Sequence, residues 1–322
     1  MTTENILDTI QEIVTFKSGI FLDYNQIREY MKDANTLLCD LVLKSKAHTL
    51  HRFRPEELQE IVNKIRVNLG ELEDDSPLLI SKAITQYPEY ADEIGAVVNV
   101  LLPCLMIHEK KYGAEMPLGR EFVRLLEKEA NVNRQVCDIV FNSLVKVLNR
   151  SISYDQTIKV WDGVVKLSDL FNSELESVPV NNYFDQRFID FLSKNTDSLY
   201  RIHWRKFEEL TAEFFERIGF DVKIGPGRGD GGVDVYATHI PTSQVLIIQC
   251  KRHSKNNEVE VNDVKALYFD IIDKNADHAL IATTSKLTPE GRRITASNYP
   301  ISAAEHDTIV QWVKNMETLE KL

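Results

Sequence analysis

Apolar residues recur at three- and four-residue steps through most of the first 195 residues, which is the spacing of amphipathic helices. The clearest stretches are ENILDTIQEIV, NTLLCDLVL, PEELQEIVNKIRVNLGELE, EFVRLLEKEA, DIVFNSLVKVL and residues 154–170. Turn-forming residues predict breaks at 74–77, 87–88, 111–113 and 176–182. The pattern predicts an all-helical domain over residues 1–195. Residues 176–186 are the linker candidate, and a further helix at 184–195 is placed beside the next domain.

The pattern changes after residue 196. A helix is predicted at 203–220, with its apolar face formed by Phe207, Leu210, Phe214 and Ile218. Short β-branched runs follow, which are FDVKI, VDVYA, VLIIQCKR and HALIATT, with helices at about 260–273 and after the last run. Residues 196–322 are therefore predicted to form a separate α/β domain.

Polar residues gather at the end of one predicted hairpin. In VLIIQCKR (245–252), Gln249 and Lys251 share a strand face, because side chains alternate along a strand. Asp234 lies on the preceding strand between Val233 and Val235, which should point into the core. A carboxylate, an amide and an ammonium at one sheet end predict a site for a divalent metal and a phosphate.

A further acid comes from the helix at 203–220. At about 100° per residue, Glu208 falls at the edge of the apolar face and turns toward the sheet. The other glutamates of this helix, Glu209, Glu213 and Glu216, are interpreted as solvated surface charge. Asp230 competes with Asp234 as the acid, but an Asp before Gly is often only turn chemistry.

Composition mainly excludes certain classes of protein and of site. The formal net charge of −11 over 322 residues argues against a protein that coats nucleic acid broadly. The four cysteines, Cys39, Cys104, Cys137 and Cys250, form no C-x-x-C pair, which disfavours zinc and disulfides and favours a cytoplasmic protein. No signal peptide is expected at MTTENILDTI. The longest apolar run, 96–107, is too short to span a bilayer, so no membrane contact is expected.

The C-terminal residues resemble the Mrr-like restriction endonucleases, a branch of the PD-(D/E)xK nuclease superfamily. The matching motifs are Phe207-Glu208 in the helix, GGVD at 231–234, Gln249-Cys250-Lys251, and Thr283-Thr284-Ser285 with Thr288. The likeness covers roughly residues 200–305. It implies a restriction-endonuclease-like αβββαβ core with a mixed central sheet, behind the all-α N-terminal domain.

The resemblance also implies roles for the site residues. Asp234 would be the main metal ligand and Glu208 a second acid, acting directly or through water. Gln249 stands where most of the superfamily has a carboxylate and offers a neutral carbonyl oxygen. The backbone carbonyl of Cys250 would complete the metal shell, and Lys251 would orient or deprotonate the attacking water. Mg²⁺ is the expected cofactor, with Mn²⁺ as the alternative.

Two groups of basic residues are candidates for contacts with phosphate. They are Arg228 in the Gly-rich loop and the cluster of Lys251, Arg252 and His253; the alternative interpretation is solvated loop charge. The implied function is metal-dependent cleavage of DNA, most often duplex, in defence against foreign DNA. The alternatives are a catalytically weak nucleic-acid-binding or assembly protein, and a nuclease for RNA or branched DNA.

The N-terminal domain carries no recognisable motif. Its acidity favours a protein partner or self-association over direct contact with DNA. Cutting both strands of a duplex requires two sites, so a homo-oligomer, at least a dimer, is expected, with residues 1–195 contributing to the contact.

Overall fold

The computed structural model describes residues 1–34, 36–73, 79–113, 118–151, 163–172, 183–226 and 232–319. Two compact units are present. The first comprises Met1–Ile13, Met31–Lys64 and Glu73–Asp162. The second comprises Val14–Tyr30, Ile65–Leu72 and Gly163–Leu322. Short segments from the N-terminal third therefore belong to the unit that holds the C-terminal sheet.

The N-terminal part is helical, as predicted. Its helices are α1 (Thr3–Ser18), α2 (Tyr24–Met31), α3 (Leu37–Lys44), α4 (Pro55–Asn68), α5 (Leu79–Gln86), α6 (Ala91–Tyr112), α7 (Arg120–Ala130), α8 (Arg134–Arg150) and α9 (Asp169–Asn172). The predicted breaks at Tyr87–Pro88 and Gly113 are confirmed, since a 3-10 turn follows α5 and Gly113 ends α6. The predicted breaks at 74–77 and 176–182 lie almost wholly outside the described residues.

One helix prediction in this part was wrong. Within the stretch 154–170, β2 (Val165–Lys166) pairs in parallel with β1 (Ile20–Phe21), and residues 152–162 lie outside the described part. The spacing of apolar residues in a short run does not distinguish a helix from a buried strand, and residues 165–166 form a strand.

Helices α6, α7 and α8 pack around one apolar core in the first unit. Its members include Ile94, Val97, Phe122 and Leu126, all buried. Cys104 and Cys137 belong to the same core, and Cys39 is buried on α3. Burial raises the pKa of each of these three thiols above its ordinary value. They are free core cysteines, as their apolar surroundings in the sequence predicted.

Within the described part, the helical stretch Pro88–Tyr112 is long and apolar enough, by length and composition alone, to cross a membrane. Only 17% of its most apolar window is buried inside the protein. A single helix that meets this test does not show that the chain crosses a membrane, because core helices of soluble proteins meet it too. The helix is longer than the apolar run 96–107 because it extends beyond that run at both ends.

The C-terminal domain is built on a five-stranded mixed sheet. Its elements in chain order are α10 (Gln186–Lys194), α11 (Trp204–Arg217), β3 (Phe220–Ile224), β4 (Val235–His239), β5 (Val245–Lys251), β6 (Glu258–Val259), α12 (Val261–Asp273), β7 (His278–Thr283), β8 (Lys286–Leu287), α13 (Pro289–Thr295), β9 (Ile301–Ala304) and α14 (His306–Met316). The strand order is β3-β4-β5-β7-β9, antiparallel up to β5 and parallel from β5 onward. This is the predicted αβββαβ arrangement, extended by α13, β9 and α14.

Helix α11 is buried on more than one side. Phe207, Leu210 and Phe214 are buried as predicted, whereas Ile218 follows the helix and is 39% exposed. The interpretation of Glu209 and Glu213 as solvated charge was wrong, because both are buried.

Ion pairs explain why these buried charges are tolerated. The Glu209 carboxylate lies 2.6 Å from the Lys206 ammonium, and Glu213 lies 2.9 Å from the Arg217 guanidinium. Glu213 also accepts hydrogen bonds from the backbone amides of Tyr183 and Phe184. Buried charges that are paired and hydrogen-bonded avoid most of the cost of desolvation. Glu216 is only partly exposed.

The second unit also joins segments that are far apart in sequence. The Arg187 guanidinium of α10 donates to the backbone oxygens of Gly19 and Gly163, each at 2.9 Å. Gly70 has a positive φ of 80°, and a Cβ there would lie 2.2 Å from the Asp190 carbonyl oxygen. The predicted boundary between residues 195 and 196 stays a prediction about how the domains divide.

Candidate active site

The end of the β4–β5 hairpin carries Asp234. Val233 and Val235 are fully buried, and Asp234 between them is half-buried at the start of β4. The β4–β5 register pairs Val235 with Ile248, so one further step places Asp234 opposite Gln249. The Cys250 backbone amide donates to Asp234 Oδ2 at 2.7 Å. The carboxylate is thus fixed against the last residues of β5, as the hairpin prediction required.

Gln249 is nearly buried, and its amide oxygen is an anomaly. Among the described residues, Oε1 has no hydrogen-bond partner although it is buried. Leaving such an oxygen unsatisfied costs about 1–3 kcal/mol, and a common explanation is an ion or water at the site. Gly232 lies beside this side chain with φ +96°, and a Cβ there would come within 3.2 Å of Gln249 Nε2. The glycine of the GGVD motif therefore makes room for the amide.

Glu208 reaches the same region from α11. Its side chain is 5% exposed, and its Oε2 lies 2.7 Å from Arg205 Nη1. The same arginine nitrogen donates to the Gly225 carbonyl at 2.9 Å. Burial raises the pKa of the Cys250 thiol well above its ordinary value, and the charges of Asp234 and Glu208 raise it further. Both carboxylates therefore lie close enough to Cys250, at the end of β5, to raise the pKa of its thiol.

Lys251 has a partner that the sequence did not reveal. Its Nζ lies 3.0 Å from Asp263 Oδ1, in the first turn of α12. Both side chains are about one-third exposed, so the ammonium faces solvent while it is held on one side. A partly buried ammonium is costly without a counter-charge, and Asp263 supplies one.

The segment after β5 is held by the Thr283-Thr284-Ser285 motif. The Thr283 hydroxyl donates to the Lys251 carbonyl at 2.8 Å, and the Thr284 hydroxyl donates to the His253 carbonyl at 2.8 Å. Thr284 Oγ1 also accepts from the His253 amide at 2.9 Å. All three motif residues are buried. Their role is to fix the backbone that presents Lys251 and the residues following it.

The predicted phosphate-binding residues Arg252 and His253 directly follow Lys251, the last residue of β5. Arg252 is exposed and His253 is half-buried. Burial lowers the pKa of His253, the Lys251 and Arg252 charges lower it further, and Asp263 partly opposes them. His253 is therefore neutral near pH 7 and contributes no positive charge. Arg228 and Asp230 lie outside the described residues.

The predicted metal donors fit a hard divalent cation. Asp234 and Glu208 supply carboxylates, Gln249 an amide oxygen without a partner, and Cys250 a backbone carbonyl, which are the oxygen donors that Mg²⁺ and Mn²⁺ accept. Within the described residues, no group of three or more His, Cys, Asp or Glu side chains is arranged to hold a metal. The predicted set has only two carboxylates, so any metal held here would depend on the neutral oxygens.

Two charged partners were missed from the sequence. Arg205 stands three residues before Glu208, so helical spacing could have indicated that pair. Asp263 gave no such signal, because its contact with Lys251 depends on how α12 lies over the sheet.

Part of the chain is similar to known proteins. Residues 199–313 match the Mrr_cat family model, described as a restriction endonuclease. The uncharacterized protein y4cE of Sinorhizobium fredii is 27% identical over 123 residues, which are 37% of this chain and 32% of that protein. The chain thus spans about a third of the length of this curated relative.

Two solved structures are also similar. MspJI restriction endonuclease in complex with a 27-mer oligonucleotide has a TM-score of 0.33 and 17% identity, over 49% of this chain and 37% of that one. The DNA modification-dependent restriction endonuclease AspBHI has a TM-score of 0.33 and 15% identity, over 55% of this chain and 50% of that one. These likenesses are too slight to carry an argument. The family match covers residues 199–313, which contain the whole five-stranded sheet, so this part of the chain is similar to a restriction endonuclease domain of the Mrr type.

Proposed function

We propose that the C-terminal domain is a metal-dependent endonuclease that hydrolyses phosphodiester bonds of duplex DNA. The observation that carries the proposal is the buried Gln249 Oε1, which has no hydrogen-bond partner among the described residues and lies at the same sheet end as Asp234 and Glu208. A divalent cation bound there would neutralise the carboxylates and polarise a phosphate oxygen. The restriction endonuclease family of residues 199–313 supports the choice of substrate.

Each residue of the site would have its own role in the reaction. Asp234, held by the Cys250 amide, presents one oxygen in a fixed direction. Lys251 presents an ammonium at the site edge, where it can offset phosphate charge and orient the attacking water. Asp263 fixes the direction of that ammonium, so we assign it as a positioning residue. Arg252 offers an exposed cation to a neighbouring phosphate.

The test is a cleavage assay on supercoiled plasmid, linear duplex, single-stranded DNA and RNA, with Mg²⁺, with Mn²⁺ and with chelator. We expect duplex DNA to be cut with either metal and to survive in chelator. Cleavage that persists in chelator would contradict metal dependence, and cleavage of RNA alone would contradict the proposed substrate.

A second candidate is a nucleic-acid-binding or assembly protein that keeps the fold without cutting. It is favoured by one observation: Glu208 and Lys251, two of the predicted catalytic charges, are already paired with Arg205 and Asp263. Such a protein would bind duplex DNA with and without metal and would cut none of the four substrates.

The biological setting is also part of the proposal. We place the protein in the cytoplasm, in defence against foreign DNA, as a homo-oligomer of at least two chains. The N-terminal helices would serve regulation or assembly, through self-association or a protein partner. Two copies would supply the two sites that a double-strand break requires.

A further inference from the structure

Helix α6 carries an apolar stripe on its outer side. Ile94, Val97 and Cys104 are fully buried on the inner side. On the other side Leu102 is 67% exposed and Met106 is 64% exposed. Contiguous exposed apolar surface of this kind marks an interaction site more often than an ordinary surface.

The stripe has the spacing of a helix-pairing seam. Gly95, Asn99, Leu102 and Met106 follow one another at steps of four, three and four residues. At about 100° per residue they fall within a sector of about 60°, opposite the buried side. Residues at these steps face a second helix that packs along α6.

The charges beside the seam identify the partner. Asp92 lies at the start of α6 and Lys110 at its end, both exposed. They are about five helical turns apart, so they lie on the same side of the seam. An antiparallel copy of the same helix would bring Asp92 of each chain to Lys110 of the other. The helix is thus complementary to itself in the antiparallel direction.

The small residue in the seam fits the same arrangement. Among the described residues, no heavy atom lies within 4 Å of a Cβ built on Gly95, so the space beside this glycine is open. Antiparallel pairing about the point midway between Asn99 and Leu102 sets Met106 of one chain over Gly95 of the other. It also sets Leu102 beside Asn99. A large flexible side chain against a small one lets two helices approach closely.

We propose that α6 is a dimerisation helix, which pairs antiparallel with α6 of a second copy through Gly95, Asn99, Leu102 and Met106. The proposal gives a surface to the self-association in the proposed function, and it does not depend on nuclease activity.

The test uses the full-length chain in sedimentation velocity over a range of concentrations, with circular dichroism to confirm folding. Met106→Glu places a charge in the seam of both chains. We expect it to raise the dissociation constant of the dimer by at least about a hundred-fold. Leu50→Glu is the matched control, because Leu50 is 78% exposed outside α6 and should not affect the dimer.

A charge exchange tests the direction of pairing. Asp92→Lys alone or Lys110→Asp alone should weaken the dimer about ten-fold, because each leaves like charges facing twice in the symmetric pair. The double variant should restore it. No rescue would overturn the antiparallel arrangement.

The remaining outcomes separate this surface from its alternatives. A dimer that Met106→Glu leaves intact would overturn the role of α6 and leave self-association standing. A monomeric wild-type chain would overturn both. A monomer that floats with vesicles of phosphatidylcholine and phosphatidylglycerol, and loses this binding in Met106→Glu, would assign the stripe to a membrane surface instead.

Discussion

At the residue scale, Asp234 combines a chemical and a structural role. Its carboxylate accepts from the Cys250 amide, so alanine would remove both the charge and an acceptor. Asp234→Asn keeps an oxygen for that amide and removes the charge. We expect cleavage to fall by roughly a hundred-fold or more while the melting temperature changes little.

Asp277→Asn is the matched control for this change. Asp277 Oδ2 accepts from the Val245 amide at 2.7 Å, which is the same kind of contact at the opposite end of β5. Its activity should equal that of the parent. Loss of cleavage in both variants would assign the effect to strand stability instead of the site.

Gln249 gives a second prediction at this scale. Gln249→Glu places a third carboxylate near two others, so without metal the free energy of unfolding should fall by about 2 kcal/mol. Adding metal should raise the melting temperature of this variant more than that of the parent, because the added charge tightens metal binding. Thermal unfolding across a Mg²⁺ and Mn²⁺ titration measures this. Identical metal responses in both proteins would mean that Gln249 does not contact the metal.

The residues after β5 give a third prediction. Because its pKa is lowered, the His253 imidazole is neutral at pH 7.5. It attracts phosphate only when the pH falls below the ordinary pKa of a histidine. In the Asp234→Asn background, Arg252→Ala should lower the slope of log affinity against log salt by about 0.9, and His253→Ala should leave it unchanged. A salt slope that fell equally in both at pH 7.5 would refute the neutral His253.

At the element scale, the buried ion pairs decide how firmly α11 is held. Glu213→Ala would leave the Arg217 guanidinium buried without its carboxylate and two backbone amides without their acceptor. We expect a loss of about 3–5 kcal/mol in the free energy of unfolding by denaturant. Glu60→Ala, at an exposed position of α4, should cost under about 0.5 kcal/mol. A small effect at Glu213 would mean that solvent reaches this pair.

The same helix shows how far sequence reasoning could go. Periodicity found the helix, and hairpin spacing brought Asp234 and Gln249 to one sheet end. It could not reveal that α11 is covered on several sides, because Glu209 and Glu213 look like surface charge until their partners are known. Likewise the contact between Lys251 and Asp263 depends on helix–sheet packing, which local spacing does not encode.

At the scale of the whole molecule, the two proposals meet in the products of cleavage. A dimer with one active and one inactive site should cut one strand only. Mixing wild-type chains with an excess of Asp234→Asn chains, and allowing exchange, should shift plasmid products from linear to nicked. Product ratios on an agarose gel measure this. If the amount of linear product instead fell only in proportion to the fraction of wild-type chains, that result would indicate that each chain cuts both strands alone.

The thiols have a practical consequence for such work. Cys39, Cys104 and Cys137 are buried, and burial also raises the pKa of Cys250, so all four are protonated and slow to react near neutral pH. A cysteine introduced at Leu50, which is 78% exposed and lies outside α6, would therefore react with maleimide dyes far faster than any native thiol. Fluorescence energy transfer between two labelled chains could then follow subunit exchange without first building a cysteine-free protein.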